Sequence, residues 1–266
     1  MRFHIITIFP GMFDSYINES LFRRAIKNKI ISVDAHDLRD FSDARHGIKA
    51  KKGFQPFARV DDRPFGGGPG MVLKIEPIWR AVEEIKSEKR HSYVVPAPAR
   101  GGSSSGGKAG IHASASRENK KERVRVILFS TRGKKFNAKT AQRLAKYDEL
   151  IFICGRYEGV DERVAKYVAN EEISIGDYIL SGGEIPAMAV MESVSRYLPG
   201  FLGKEESLEE MNGSFPTYTR PPAFFPEKSC KMIQESKSEK RRAWNVPKIL
   251  LSGNHKKIEE WRNKHH

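Results

Sequence analysis

Apolar residues along the chain fall into runs that alternate between two spacings. FHIITIF (3–9) is almost continuously apolar, as expected of a strand buried on both faces. From about Met12 to Asn28, Phe13, Ile17, Leu21 and Ala25 recur at helical spacing, and IISVDAH (30–36) then reads as a second strand. Further on, IEPIWRAVEEI (75–85) has helical period, SYVV (92–95) is a short strand, and VRVILFS (124–130) is a longer one. AKTAQRLAKY (138–147) predicts a helix, LIFICG (150–155) a buried strand, and Pro186 to Tyr197 a last helix that stops at Pro199 and Gly200. Strands alternating with helices predict an α/β domain built on a mainly parallel sheet.

After that helix the composition turns polar. GKEESLEEMNGS opens a stretch read as an interdomain linker over residues 203–217, between a domain of residues 1–202 and a small domain of residues 218–266. The small domain carries the basic segment KSEKRRAW and a predicted helix from His255. No internal repeat is evident.

Charge narrows the function classes. Lys and Arg number 47 against 33 Asp and Glu, a formal charge of +14, and the basic residues are spread along the chain. Such a surface suits a polyanion, nucleic acid ahead of a membrane surface. Cys154 and Cys230 are far apart with no thiol neighbours, which argues against a disulfide framework or a cysteine metal site. The opening apolar run is cut short by Pro10, unlike a signal peptide or a membrane span, so the expectation is a cytoplasmic protein with no membrane partner.

Glycine marks the candidate chemistry. Gly102 to Lys108 satisfies part of a phosphate-binding loop, but Ala109 lacks the hydroxyl that would hold magnesium and IHASASRENKK is a poor start for the receiving helix. The surrounding Gly, Ser and Lys-rich stretch from Pro96 to Glu122 reads as a surface excursion. Three other segments adjoin predicted elements: FSTRG (129–133), CGRYEGVDER (154–163) and SIGDYILSGGEIPAM (174–188). Glycines at strand ends let main-chain groups approach a flat ligand, and they also form ordinary tight turns. VDDRPFGGGPGM (60–71) joins two carboxylates and an arginine to a bare, glycine-rich backbone.

These segments, together with IFPGMF, RDF, SRYLPGFLG, YTRP, LLSGNH and a trailing WR, resemble in order and length the bacterial tRNA (guanine-N1)-methyltransferase family, TrmD, of the SPOUT class. The resemblance implies S-adenosylmethionine as methyl donor and guanine 37 of tRNA as target. It implies a parallel sheet with a deep trefoil knot, a small mainly helical C-terminal domain, and a homodimer whose active site lies at the subunit interface. Knots are too rare for periodicity to predict one.

By motif, the donor pocket would use Phe129 and Ser130, then Gly155, Tyr157, Glu158 and Gly159, then Ile175, Gly176, Tyr178, Leu180, Gly182, Gly183 and Pro186. Ile175 and Leu180 equally suit a core. Gly66, Gly67 and Gly68 would admit the planar target base, while Asp61, Asp62 and Arg63 would organise that pocket or touch RNA; a purely structural glycine turn is the alternative. Arg196 matches the family's catalytic arginine, although a helix-end arginine can simply be salt-bridged.

The general base is where this chain departs from the family pattern. The family places an aspartate in the linker just before Ser-Phe, whereas EEMNGSF puts Met211 or Gly213 there. Glu209 or Glu210 could substitute, and Glu210 is nearest in sequence. Thr131 also stands where the family usually has proline, and segments near 49–59 and 98–122 look inserted. No residue is singled out as a metal ligand, and whether magnesium takes part stays open. A nonenzymatic RNA-binding protein, or a methyltransferase for another RNA base, are the alternative readings, since fold does not dictate function.

Overall fold

The computed structural model describes residues 1–42, 59–91, 123–202, 215–225 and 243–265, with only the backbone at 88–91. The SYVV strand, the Gly/Ser-rich excursion, Cys230 and the linker glutamates lie outside the described residues. The chain divides into two units, Met1–Gly203 and Lys204–His266.

Five strands of the first unit form a parallel sheet: β1 (Arg2–Thr7), β2 (Ser32–Asp37), β5 (Val124–Lys135), β6 (Glu149–Ile153) and β7 (Glu171–Ser174), in the order β2-β1-β6-β5-β7. Two-residue strands β3 (Asp61–Asp62) and β4 (Val72–Leu73) pair separately as an antiparallel hairpin. Central β6 is buried at all five positions, which explains its unbroken apolar run.

Side chains alternate across this sheet into two cores. On one face Phe3, Ile5, Ile127, Phe129, Leu150 and Phe152 pack against α2 (Ser20–Lys27), α4 (Ala138–Leu144) and α6 (Glu184–Ser195). On the other, Ile6, Val126, Leu128, Ile151 and Ile153 meet α3 (Ile75–His91) and α5 (Glu162–Tyr167). In α3, Ile78, Ala81, Val82 and Ile85 form one buried stripe, as their spacing predicts. The edge strand β7 is clamped by charge: Glu171 accepts from Arg143 of α4 at 2.6 Å and from Arg125 of β5 at 2.9 Å. Burial opposes ionisation of that carboxyl, but the two guanidinium groups outweigh it and hold its pKa below the usual value.

The helix expected from Met12 to Asn28 is broken. A 3-10 turn (Pro10–Phe13) leads into the single turn α1 (Asp14–Ile17), and α2 starts afresh at Ser20 after Glu19 becomes extended. Asn18 ends α1 by turning its side-chain amide back to the Asp14 carbonyl, 2.7 Å away. Such local side-chain bonding competes with helix continuation and outweighs the apolar spacing. Strand β7 and helix α5 have no counterpart among the predicted elements, because each is too short to show a period.

In the second unit, β8 (Ala223–Phe224) pairs antiparallel with β9 (Trp244–Asn245), and a 3-10 turn (Lys248–Leu251) precedes α7 (His255–Lys264). Asn254 caps α7 by accepting from the Lys257 amide. Among the described residues no helix is long and apolar enough to cross a membrane.

A candidate ligand site at the carboxyl ends of three strands

Open α/β sheets bind ligands beyond the carboxyl ends of their strands. Here β6 and β7 each end in a glycine-bearing loop and their neighbour β5 is interrupted by one, and the three loops line a cavity of about 550 Å³. That size falls within the range for small-molecule sites.

The first loop is an excursion within β5. Ile173 of β7 pairs with both Phe129 and Lys134, so Ser130 to Gly133 bulge out of the ladder. Gly133 lets the chain return: a Cβ there would fall 2.6 Å from the backbone of Glu172 and Ile173. Phe129 is mostly core, meeting the Phe152 ring edge-on, and shows the cavity only its remainder.

The second loop follows β6. Tyr157 takes a left-handed backbone with φ 61°, and Gly159 has φ 120°. Asp161 ends the loop by capping α5 through the Arg163 amide. In the third loop the Tyr178 ring lies against Gly176, where a Cβ would sit 2.2 Å from ring carbon Cε1.

Loops two and three are seamed together. Gly183 N–H donates to the Gly155 carbonyl at 2.9 Å, and Arg156 bridges to Gly182 in antiparallel sense. Beneath the seam Glu184 is fully buried at the start of α6. Its Oε1 accepts from the Thr7 hydroxyl at 2.6 Å, and its Oε2 from Arg156 Nε at 2.9 Å. The Arg156 guanidinium also lies 4.7 Å from the centre of the Phe9 ring. Thr7 and Arg156 thus give each of the Glu184 carboxyl oxygens a donor. Burial pushes the adjacent Cys154 thiol well above its ordinary pKa; Glu184 adds to this and Arg156 opposes it, so the group is a neutral thiol.

Removing Arg156 would leave buried Glu184 without its cationic partner. Arg156→Ala is therefore expected to destabilise the fold by about 3–5 kcal/mol, the range for a broken buried ion pair. Urea unfolding at neutral pH checks this, and a midpoint within error of wild type would show that the pair does not hold the seam.

All thirteen residues expected to form a donor pocket line this one cavity: Phe129, Ser130, Gly155, Tyr157, Glu158, Gly159, Ile175, Gly176, Tyr178, Leu180, Gly182, Gly183 and Pro186. Ile175 and Leu180 are half-buried lining residues rather than full core. Arg132 and Glu162, whose side chains pair at 2.6 Å, line it too, as does Arg156. Sequence reasoning assigns these three no role, nor Thr7 and Glu184. Arg156 and Glu184 stand inside the glycine-bearing motifs, but only the fold shows that they meet.

Other expected residues lie elsewhere. Asp61 and Asp62 form β3, and Arg63 to Met71 make the tip of its hairpin with β4. Gly66, Gly67 and Gly68 have φ of 86°, 80° and 118° with open space where a Cβ would be, so backbone conformation rather than packing demands glycine there. Arg196 caps the far end of α6, about 18 Å along the axis from the glycines that line the cavity. Among the described residues its side chain makes no ion pair. Glu210, with Glu209, lies outside the described residues.

A glycine-lined, polar-edged cavity at the strand ends of a parallel sheet is the architecture in which open α/β proteins take small ligands. The family model described as tRNA (Guanine-1)-methyltransferase TrmD matches residues 1–110 and 89–266. A tRNA (guanine-N(1)-)-methyltransferase of Dehalococcoides mccartyi strain BAV1 is 39% identical over 269 aligned positions, covering 99% of this chain and 85% of that protein. The protein of the same name from Clostridioides difficile strain 630 is 37% identical, over 98% of this chain and 90% of its own. The crystal structure of tRNA (m1G37) methyltransferase from Aquifex aeolicus superimposes with a TM-score of 0.66 at 34% identity, over 100% of this chain and 88% of that one. This chain belongs to the TrmD family of tRNA (guanine-1)-methyltransferases.

Proposed function

We propose that this protein transfers a methyl group from S-adenosylmethionine to N1 of guanine 37 in tRNA. The observation that carries the reading is the convergence of all thirteen motif-assigned residues on one cavity at adjacent strand ends. The cavity suits the donor in kind: bare glycine edges for the adenine, the Tyr178 ring and Leu180 as walls, and the exposed Glu158 carboxylate for its cationic groups. When bound, S-adenosylmethionine supplies an electrophilic methyl group on a positively charged sulfur.

The protein's part is to prepare the acceptor. Guanine N1 carries a proton, so its lone pair is free only once a base takes that proton, and negative charge then builds on O6. A carboxylate and a cation are needed. Arg196 serves as the cation toward O6. The distance along α6 supports a site shared between two chains, one giving the cavity and the other Arg196 and the linker, and hence a homodimer. The trefoil knot is consistent with the excursion of β5 and the hydrogen-bonded seam between loops two and three. Residues 1–202 form the methyltransferase domain, 203–217 the linker and 218–266 a tRNA-binding domain. Residues 218–266 contain 12 Lys and Arg against 5 Glu, which suits a phosphate backbone. A tRNA substrate supports a cytoplasmic location.

Mapping methylated nucleotides in tRNA from cells with and without the protein tests the reaction. Loss of N1-methylation at guanine 37 alone is the expected result, and unchanged modification there refutes it. For the base, Glu210→Gln removes proton acceptance while preserving shape. It is expected to lower the single-turnover rate on guanine 37 tRNA without weakening tRNA binding, with Glu209→Gln as control. Wild-type rates for both single variants and the double variant exclude these two glutamates. A rate gain from Met211→Asp would instead mark an enzyme weakened by the missing aspartate.

A further inference from the structure

The hairpin tip and the cavity are built into one another. Beyond its pairing with β3, β4 is hydrogen-bonded to the second cavity loop: Glu158 N–H donates to the Met71 carbonyl, Leu73 N–H to Gly159, and Asp161 N–H to Leu73, each at 3.0 Å. Leu73 and Val160 form a parallel bridge within this ladder. A segment of the hairpin thus acts as an extra strand beside residues 158–161.

Gly70 stands where the hairpin tip enters that ladder. It has φ 79°, and a Cβ built there would fall 2.4 Å from Glu158 Cγ, 2.6 Å from its Oε1 and 2.9 Å from its Cδ. Gly66, Gly67 and Gly68 have no such neighbour. The Glu158 side chain therefore occupies the space that any other residue at 70 would claim. It is exposed, and among the described residues no hydrogen bond or ion pair holds its carboxylate. The ladder holds its backbone, and the bare backbone of Gly70 leaves its side chain this space.

We infer that Gly70 is a positioning residue for Glu158, and that through this contact the hairpin tip and the donor cavity respond to one another. A base settling against the tip shifts Gly70, and Glu158 shifts with it, so donor and tRNA affinities are coupled. Reciprocity follows from linkage: whatever tRNA does to donor affinity, donor does to tRNA affinity. The inference rests on the reading that the cavity holds S-adenosylmethionine and that the tip meets the target base.

The test is calorimetric titration of sinefungin, a cationic S-adenosylmethionine analogue with no methyl group to transfer, into wild type, Gly70→Asn, Glu158→Ala and the double variant, with and without tRNA carrying guanine 37. Asparagine tolerates the left-handed backbone better than other residues with a Cβ, which separates displacement of Glu158 from backbone strain. Gly70→Asn is expected to weaken donor binding about tenfold when Glu158 is present, a usual scale for coupling between touching residues, and by less than about twofold in the Glu158→Ala background. Wild-type donor affinity is expected to change on adding tRNA, and Glu158→Ala to lose that change. An equal penalty for Gly70→Asn in both backgrounds overturns the positioning role, even if the variant is partly unfolded, because misfolding would not depend on Glu158. Donor affinity indifferent to tRNA in wild type overturns the coupling. Failure of wild type to bind donor at all counts against the proposed function instead.

Discussion

Replacing Gly183 with valine is expected to remove calorimetrically detectable binding of S-adenosylmethionine. A Cβ at 183 would lie 2.7 Å from Cys154 Cα, 3.1 Å from the Gly155 nitrogen and 3.2 Å from Cys154 Cβ. The nearest of these atoms belong to backbone at the end of the central strand, so no side-chain rotation relieves the contact. Gly183 N–H also makes the 2.9 Å bond to Gly155 that closes loops two and three together. Valine adds two further methyl groups to the clash, and the loops can accept it only by parting. Overpacking of this kind costs about 1–3 kcal/mol, so most of the fold should survive with a lowered Tm while the cavity loses its shape. Unchanged donor affinity in the folded variant would remove Gly183 from the site. The contrast with Gly67→Ala is informative: that Cβ meets nothing within 4 Å, and any loss there should come from the positive φ alone and leave donor affinity intact.

Arg196→Ala is expected to slow single-turnover methyl transfer by something on the order of a hundredfold, the scale of one lost contact to a developing oxyanion. Donor affinity should hardly change, because Arg196 does not line the cavity. Its position supplies a sharper test. Arg196 stands at the other end of α6, about 18 Å along the axis from the glycines of its own cavity, which favours an arginine supplied by the second chain of the proposed homodimer. Mixed dimers of Arg196→Ala with Gly183→Val are therefore expected to show activity well above that of either parent. In such a dimer one site joins an intact cavity from one chain to an intact arginine from the other. Absence of recovery in verified mixed dimers would mean that Arg196 acts within its own chain or not at all.

Much of the fold is legible in the local pattern of the chain. The run LIFI could only be a strand buried on both sides, and it is the fully buried centre of the sheet. The stripe of Ile78, Val82 and Ile85 required a helix with one apolar face, and α3 supplies it. These are local properties, set by how often an apolar side chain recurs against the period of the backbone. The ordered motifs go further and carry the family, because glycine, proline and charge at fixed spacing are much less common than amphipathic periodicity. They also point to thirteen residues that the fold brings to one cavity.

Local pattern fails where an element is short or a neighbour far along the chain decides the matter. α5 and β7 have six and four residues, too few to display a period. The break between α1 and α2 comes from Asn18, whose side chain competes with the helix that the apolar spacing favours. Nothing in the residue pattern pairs Arg156 with Glu184, or Thr7 with a carboxylate 177 residues away. Nor can it say that Gly183 faces the backbone of Cys154 while Gly70 faces Glu158, although all are visible as glycines and acids in motif-like runs. Such contacts depend on strand order and register, which are settled when the two cores close around the sheet. The order of residues settles which side chains could serve this protein's chemistry; the path of the chain through space settles which of them meet, because a contact between distant residues is a property of the closed fold and of no segment within it.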